Sequence, residues 1–312
     1  MKIGLDIMGG DHAPRAAVLG AIAAEKNLSP GQKLVLIGDK SQAIALLEEH
    51  DVSADRFDFI HTTEIIGMSE HPTKAIVQKP NSSISLGFQL LKDGEIDSFA
   101  SAGNTGAMLV GAMFSVKSIP GIIRPAIASN IPKITGGFGL LLDVGANADC
   151  KPDMLLQFGL LGSLFAEHIY NIKNPKVALM NLGEEEEKGN LLTQTTFPLM
   201  NETELFNFVG NVEGRDMFND KADVVVCDGF TGNVMLKLAE SFYVLTLKKG
   251  FKDEFFDRFN YEQYGGSPVL GVNAPVIIGH GISSPEAIKN MILLSRTMIE
   301  TKIVDKIKAA FN

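Results

Sequence analysis

Strand-length apolar runs alternate with helix-length segments along most of this chain, and several of the runs end in a glycine-rich polar turn. Such alternation points to an α/β fold, a mostly parallel sheet wrapped by helices. Strands are expected at residues 2–7, 33–37, 57–60, 98–101, 138–142, 177–182, 206–209, 223–227 and 276–278. Helices are expected at 13–26, 82–92, 105–116, 152–169 and 284–310. No proline- or serine-rich linker, low-complexity tract or fixed-period repeat divides the sequence. Residues 1–312 are therefore expected to form one integrated domain, with a short helical hairpin at 234–260.

In open α/β sheets ligands sit beyond the carboxyl ends of the strands, so the turns there are the ones to read. Five are polar and rich in glycine: DIMGGDH from Asp6, SAGNTG from Ser101, DVGAN from Asp143, NLGE from Asn181 and DGFTGN from Asp228. With the strands as expected, they converge on one rim. A glycine there admits positive φ and turns successive N–H groups toward one point, and a following helix N-terminus adds its dipole. Candidate ligand contacts are Asp6, Gly9, Gly10 and Asp11; Gly103, Asn104, Thr105 and Gly106; Asp143 and Asn147; Asp228, Gly229, Thr231, Gly232 and Asn233. For any one such turn taken alone, helix capping is the better explanation. Two turns of near-identical design, with three more beside them, favour a phosphate-sized ligand.

Neither G-x-x-x-x-G-K-[ST] nor a G-x-G-x-x-G opening a βαβ unit is present, which argues against the common nucleotide sites. Lys188 follows four glutamates in NLGEEEEKGN; it is either part of a solvated helix start or a point charge for phosphate. His12, before Ala13-Pro14, supports the turn or else donates a proton or contacts phosphate; His280, in VIIGHG, has the same two readings. A Ser-His-Asp triad lacks its G-x-S-x-G elbow.

A net charge of −9 argues against a nucleic-acid binder. The two cysteines, Cys150 and Cys227, form no C-x-x-C or Cys/His cluster, so no metal site is expected. The sequence starts at once with the strand KIGLDIM, so no signal peptide is expected, and the longest apolar run, 106–116, falls short of the ~20 residues that span a bilayer. A cytoplasmic location is expected, with peripheral contact at the inner membrane face as an addition. Residues 234–247 are apolar nearly all round; beyond Gly250 come Phe251, Phe255, Phe256 and Phe259, among Lys248, Lys249, Lys252 and Arg258. That segment suits a buried dimer seam, or a greasy surface for an acyl chain or membrane, rimmed by base.

Read together, LDIMGGDHAP, SAGNTGAM, LLDVGANADCKPD, NLGEEEEKGN, FVGNVEGRD, ADVVVCDGFTGNVMLK and YGGSPVLGVNAPVIIGHG closely resemble bacterial phosphate acyltransferase, the acyl-carrier-protein-dependent enzyme of glycerophospholipid synthesis. The resemblance covers essentially the whole chain. It implies a fold like isocitrate dehydrogenase and phosphotransacetylase, a homodimer, and neither metal nor nicotinamide cofactor. The implied reaction converts fatty acyl-carrier protein and inorganic phosphate into acyl phosphate and free carrier protein, feeding a membrane acyltransferase. On this reading 103–106 and 229–233 cradle phosphate and Lys188 pairs with its charge. Asn233 or backbone N–H groups hold the oxyanion, and His12 or another acid protonates the leaving thiolate. Residues 236–261 are shorter than the hydrophobic hairpin of many relatives, which points to transient rather than stable membrane contact, and ASNIPKITGG at 128–137 also departs from the family wording. The alternatives are a short-chain phosphotransacetylase using coenzyme A, a β-decarboxylating dehydrogenase, and a non-catalytic phosphate- or lipid-binding protein.

Overall fold

The computed structural model of the chain describes residues 1–311. In chain order the first strands are β1 (Lys2–Asp6), β2 (Lys33–Gly38), β3 (Phe57–His61), β4 (Ser98–Ser101), β5 (Ala126–Pro132) and β6 (Phe138–Leu142). They are followed by β7 (Lys176–Met180), β8 (Asn207–Val212), β9 (Val224–Val226), β10 (Ser267–Leu270) and β11 (Val276–Ile278). Helices α1 (Arg15–Glu25), α2 (Lys40–Glu49), α3 (Pro72–Gln78), α4 (Ser83–Lys92) and α5 (Thr105–Gly111) lie among the first strands. Later come α6 (Pro152–Ile169), α7 (Leu191–Asn201), α8 (Gly229–Lys249), α9 (Glu254–Asp257), α10 (Pro285–Glu300) and α11 (Ile303–Phe311).

These elements form two compact units, one of residues 1–119 and 261–304, the other of residues 120–260 and the chain end from Asp305. In the first unit the strands run β3-β2-β1-β4-β11-β10. All are parallel except β10, which pairs antiparallel with β11. Leu5 of β1 sits between Leu36 and Ala100, and Ile3, Leu5, Leu34, Leu36 and Phe99 are fully or almost fully buried. Burial on both faces is what a parallel sheet covered by helices demands, and it explains why these runs are apolar without alternation.

In the second unit the order is β5-β6-β9-β7-β8. Here β5 is antiparallel to β6 and the remaining pairs are parallel. Helix α6 packs on β6, β9 and β7, burying Phe158, Leu161 and Phe165.

Every expected strand is present with its ends moved by a few residues at most. The additions, β5 and β10, are the partners in the antiparallel pairs. Their sequences hide them: AIASNIP is broken by Ser129-Asn130 and ends in proline, and SPVL is short and opens with Ser-Pro. The expected helix over 284–310 is two helices. Thr301 bonds back to the carbonyls of Thr297 and Met298, and Lys302 then turns to φ +52° between α10 and α11. The expected helix at 105–116 is α5 followed by a wider turn over Ala112–Val116, closed by Lys117 at φ +67°.

Candidate active site

In the first unit the candidate residues cluster around Asp6, at the carboxyl end of β1. Its Oδ2 accepts from Ser101 Oγ at 2.6 Å and its Oδ1 from the Met8 N–H at 2.8 Å. Burial pushes the Asp6 carboxyl up from its ordinary value, opposed by bonds from Ser101, Ser83, Met8 and Gly9. Gly9 is a contact requirement. A Cβ there would stand 2.6 Å from the Gly103 nitrogen, so the two turns meet backbone to backbone. Asp11 N–H donates to the Gly281 carbonyl at 2.7 Å, and His280 N–H donates to Ser283 Oγ, so the loop after β11 joins the same cluster. His12 is exposed and lines a cavity of about 550 Å³ with Arg15 and Ser284.

Asn104 caps α5, its Oδ1 accepting from Ala107 N–H at 2.9 Å. Its Nδ2 donates to the carbonyls of Gly67, Met68 and Glu70 at 3.0, 3.2 and 3.0 Å. Both ends of this amide are thus engaged by protein, while Thr105 beside it is exposed.

In the second unit Asp143, at the end of β6, plays the organising part. Its Oδ1 accepts from the N–H groups of Ile127, Gly145 and Ala146, and its Oδ2 from Asn147 N and Nδ2. Burial pushes this carboxyl up as well, opposed by the same donors. The turn so fixed receives α8: Gly229 N–H donates to the Asn147 carbonyl at 2.7 Å. A Cβ on Gly232 would lie 1.9 Å from the Asp143 carbonyl, so only glycine lets the helix descend this far. Asp228 caps α8, accepting from Thr231 N–H and Thr231 Oγ1, each at 2.8 Å. The N–H groups of Gly229, Thr231 and Gly232 are therefore all engaged, the first by the Asn147 carbonyl and the others by Asp228. Asn233 projects from it, exposed, with its carboxamide about 3.9 Å from where a Cβ on Gly145 would stand.

Lys188 stands in the turn after β7, exposed, with its stem against Gly183. Three successive carbonyls around it accept side-chain amides. Gln194 Nε2 donates to Glu187 O at 2.7 Å and Gly189 O at 3.1 Å, and Asn181 Nδ2 donates to Lys188 O at 3.0 Å. Among the described residues neither the Lys188 ammonium nor the Asn233 carboxamide has a hydrogen-bond or ion-pair partner in the chain. They are a free cation on the turn after β7 and a free neutral donor near the start of α8.

Gln194 carries no sequence signal, being an ordinary exposed helix residue whose reach back to the turn appears only in three dimensions. Ser101 lies in the SAGNTG turn, but its bond to Asp6, 95 residues away, leaves no mark in the sequence. Among the described residues no group of three or more His, Cys, Asp or Glu side chains is arranged to hold a metal ion.

The family model described as "Fatty acid synthesis protein" matches residues 1–255 and 242–306. The chain is 42% identical, over 333 aligned positions, to the phosphate acyltransferase of Dictyoglomus turgidum, covering 100% of this chain and 98% of that one. It is also 42% identical to the phosphate acyltransferase of Listeria innocua, covering 99% and 96%. The chain belongs to the phosphate acyltransferase family.

As a member of that family it is an enzyme, an acyl-group transferase. The fold agrees with solved phosphotransacetylases. That from Streptococcus pyogenes superposes with TM-score 0.68 at 17% identity, covering 96% of this chain and 94% of that one. EutD phosphotransacetylase from Staphylococcus aureus gives 0.64 at 16%, with the same coverage. In this phosphate acyltransferase family member neither thiol is poised as a nucleophile. The Cys150 thiol is pushed up to about 12 by burial and by Asp143, Asp228 and Asp149, and burial pushes Cys227 up well beyond its usual range.

Proposed function

We propose that the chain converts a fatty acyl thioester of acyl carrier protein and inorganic phosphate into acyl phosphate and free carrier protein, in phospholipid synthesis. What supports this reading is an unengaged ammonium, Lys188, and an unengaged carboxamide, Asn233, whose neighbours Gly189 and Thr231 line one cavity, in a chain of the phosphate acyltransferase family. Phosphate is already anionic at neutral pH, so its oxygen needs no strong base. Lys188 holds that charge as a compact point cation. A phosphate oxygen attacks the thioester carbon, and the oxygen of the resulting tetrahedral species accepts from Asn233. One such donor is typically worth ~2.7–4 kcal/mol. The C–S bond then breaks, the sulfur leaves with the bonding electrons as a thiolate and takes up one proton. Held in place, the two reactants gain up to ~7–11 kcal/mol from positioning alone.

Homodimer formation belongs to the same proposal. Helix α8 leaves Phe230, Val234, Leu238, Phe242 and Leu245 exposed at helical spacing, a stripe that a second copy would cover. Among the described residues no helix is long and apolar enough to cross a membrane. Exposed Leu247 and Phe251 beside Lys248, Lys249 and Lys252 suit transient contact with an anionic bilayer or a membrane acyltransferase.

The test mixes the protein, phosphate and palmitoyl-carrier protein and follows acyl phosphate by mass spectrometry, with palmitoyl- and acetyl-coenzyme A as comparison substrates. Acyl phosphate from the carrier thioester is the expected product, and Lys188→Ala and Asn233→Ala should each lower turnover by about 100-fold or more with the fold intact. Product from acetyl-coenzyme A alone would make the chain a short-chain phosphotransacetylase. Full activity in both variants would remove the assigned roles.

A further inference from the structure

Beside the Lys188 turn the second unit holds an open-mouthed cavity of about 300 Å³. Its apolar wall is drawn from four elements: Leu155 of α6, Leu179 of β7, Leu192 of α7 and Met235 of α8, with Cys227 just past β9. Leu155, Leu179 and Cys227 are backed by the core and cannot swing away. The polar side chains at the mouth are engaged except for the Asn190 amide nitrogen, which sits on an exposed residue at the rim. Asp228 accepts from Thr231, Asn190 accepts from Thr193 N–H, and the Asn181 amide joins Leu182 N–H to Lys188 O. Past that rim, against Leu155, Leu179, Leu192, Cys227 and Met235, a polar ligand would lose its water without finding partners, whereas a hydrocarbon loses nothing of that kind.

We propose that this cavity is the acyl-chain pocket, and that Met235 sets the chain length it accepts. The proposal rests on the acyl-transfer reading above, and it places the thioester end at the mouth. Gly189, next to Lys188, and Asp228 with Thr231, at the start of the helix that carries Asn233, line the cavity on that side. An apolar cavity of about 150 Å³ holds benzene, so one of this size accommodates roughly twice as many carbons, about a dozen. Each methylene taken from water is worth a factor of about four in affinity, which makes occupancy strongly dependent on length. Met235 is half-buried on the second turn of α8, carries a flexible thioether, and is neither of the two residues assigned to the reaction.

The experiment measures kcat/KM for carrier-protein thioesters from hexanoyl to palmitoyl. Met235→Trp, which plugs the cavity, should lower palmitoyl turnover at least tenfold relative to hexanoyl, and Leu192→Ala, which widens it, should shift preference toward longer chains. An equal loss at every length, or unchanged preference in both variants, overturns the proposal. If the wild type turns over no thioester, the functional reading fails by itself. The pocket is then read by Leu182→Trp, which places a single tryptophan at the mouth of a chain that otherwise has none. Saturating palmitate should shift its emission and phosphate should not; adding Met235→Phe should weaken the palmitate response several-fold. No response to palmitate overturns the pocket independently of catalysis.

Discussion

Asn181 donates from Nδ2 to the carbonyl oxygen of Lys188 at 3.0 Å, so the residue proposed to bind phosphate is held through its backbone by a side chain that need not touch substrate. Gln194 grips the carbonyls on either side, of Glu187 and Gly189. The clasp matters because an ammonium on a long stem is only as well placed as the turn that carries it.

Removing one jaw should therefore damage catalysis more than stability. Gln194→Ala is expected to lower kcat by about 10- to 100-fold with a smaller change in KM, in keeping with the cost of an ångström-scale misplacement. Steady-state kinetics beside thermal unfolding checks this. A variant as active as wild type would show that the turn is held by other means.

Asp143→Asn keeps the shape of the side chain and reverses the chemistry of one end. Every recorded bond to this carboxylate comes from an N–H group, on Oδ1 from Ile127, Gly145 and Ala146 and on Oδ2 from Asn147. Whichever way the new amide turns, its own N–H groups face buried donors, and each stranded group costs ~1–3 kcal/mol. Urea unfolding should show a loss of about 2–4 kcal/mol on the same basis. A loss near zero would mean that the turn is not organised by this carboxylate.

Asp6 should give stability a recognisable pH dependence. Burial raises its folded value above the ordinary 3.8, against the pull of its bonds from Ser101 and Ser83. The folded chain thus keeps this proton to higher pH than the unfolded chain does. The contribution is full below 3.8 and is lost as pH rises through the folded value. Asp6→Asn has no such step, so the stability of wild type minus that of the variant should fall between acid and neutral pH in a denaturation series. A difference that grows with pH would place the carboxylate below its ordinary value.

The basic residues at the end of α8 and just beyond it offer a docking test. Acyl carrier proteins are acidic, and Lys248, Lys249 and Lys252 are exposed. Reversing all three to glutamate should raise the apparent KM for carrier thioester by about three- to tenfold and flatten its dependence on salt. An unchanged KM would send the carrier to another face.

The parallel strands were legible because burial on both faces makes them continuous apolar words such as VVV in β9 and LVLI in β2. The antiparallel strands β5 and β10 were not, since polar residues and proline break their pattern. At the site, the turns could be picked out but not the destinations of their groups. Asn104 reads as a donor for phosphate, yet its amide is bound to a neighbouring loop; Asp143 reads as a ligand contact, yet it collects N–H groups from its own turn. Hydrogen-bond partners far apart in sequence, such as Asn104 and Gly67, leave no trace in composition or spacing.

The attachment at Asn104 has a mechanical corollary. One nitrogen with two hydrogens is shared among three carbonyls of the 67–70 loop, while the oxygen of the same amide anchors α5. Such a latch has no intermediate notch: rotating that single side chain frees all three points at once and uncaps the helix in the same stroke. Order in the loop and order at the start of α5 are thereby coupled through one side chain.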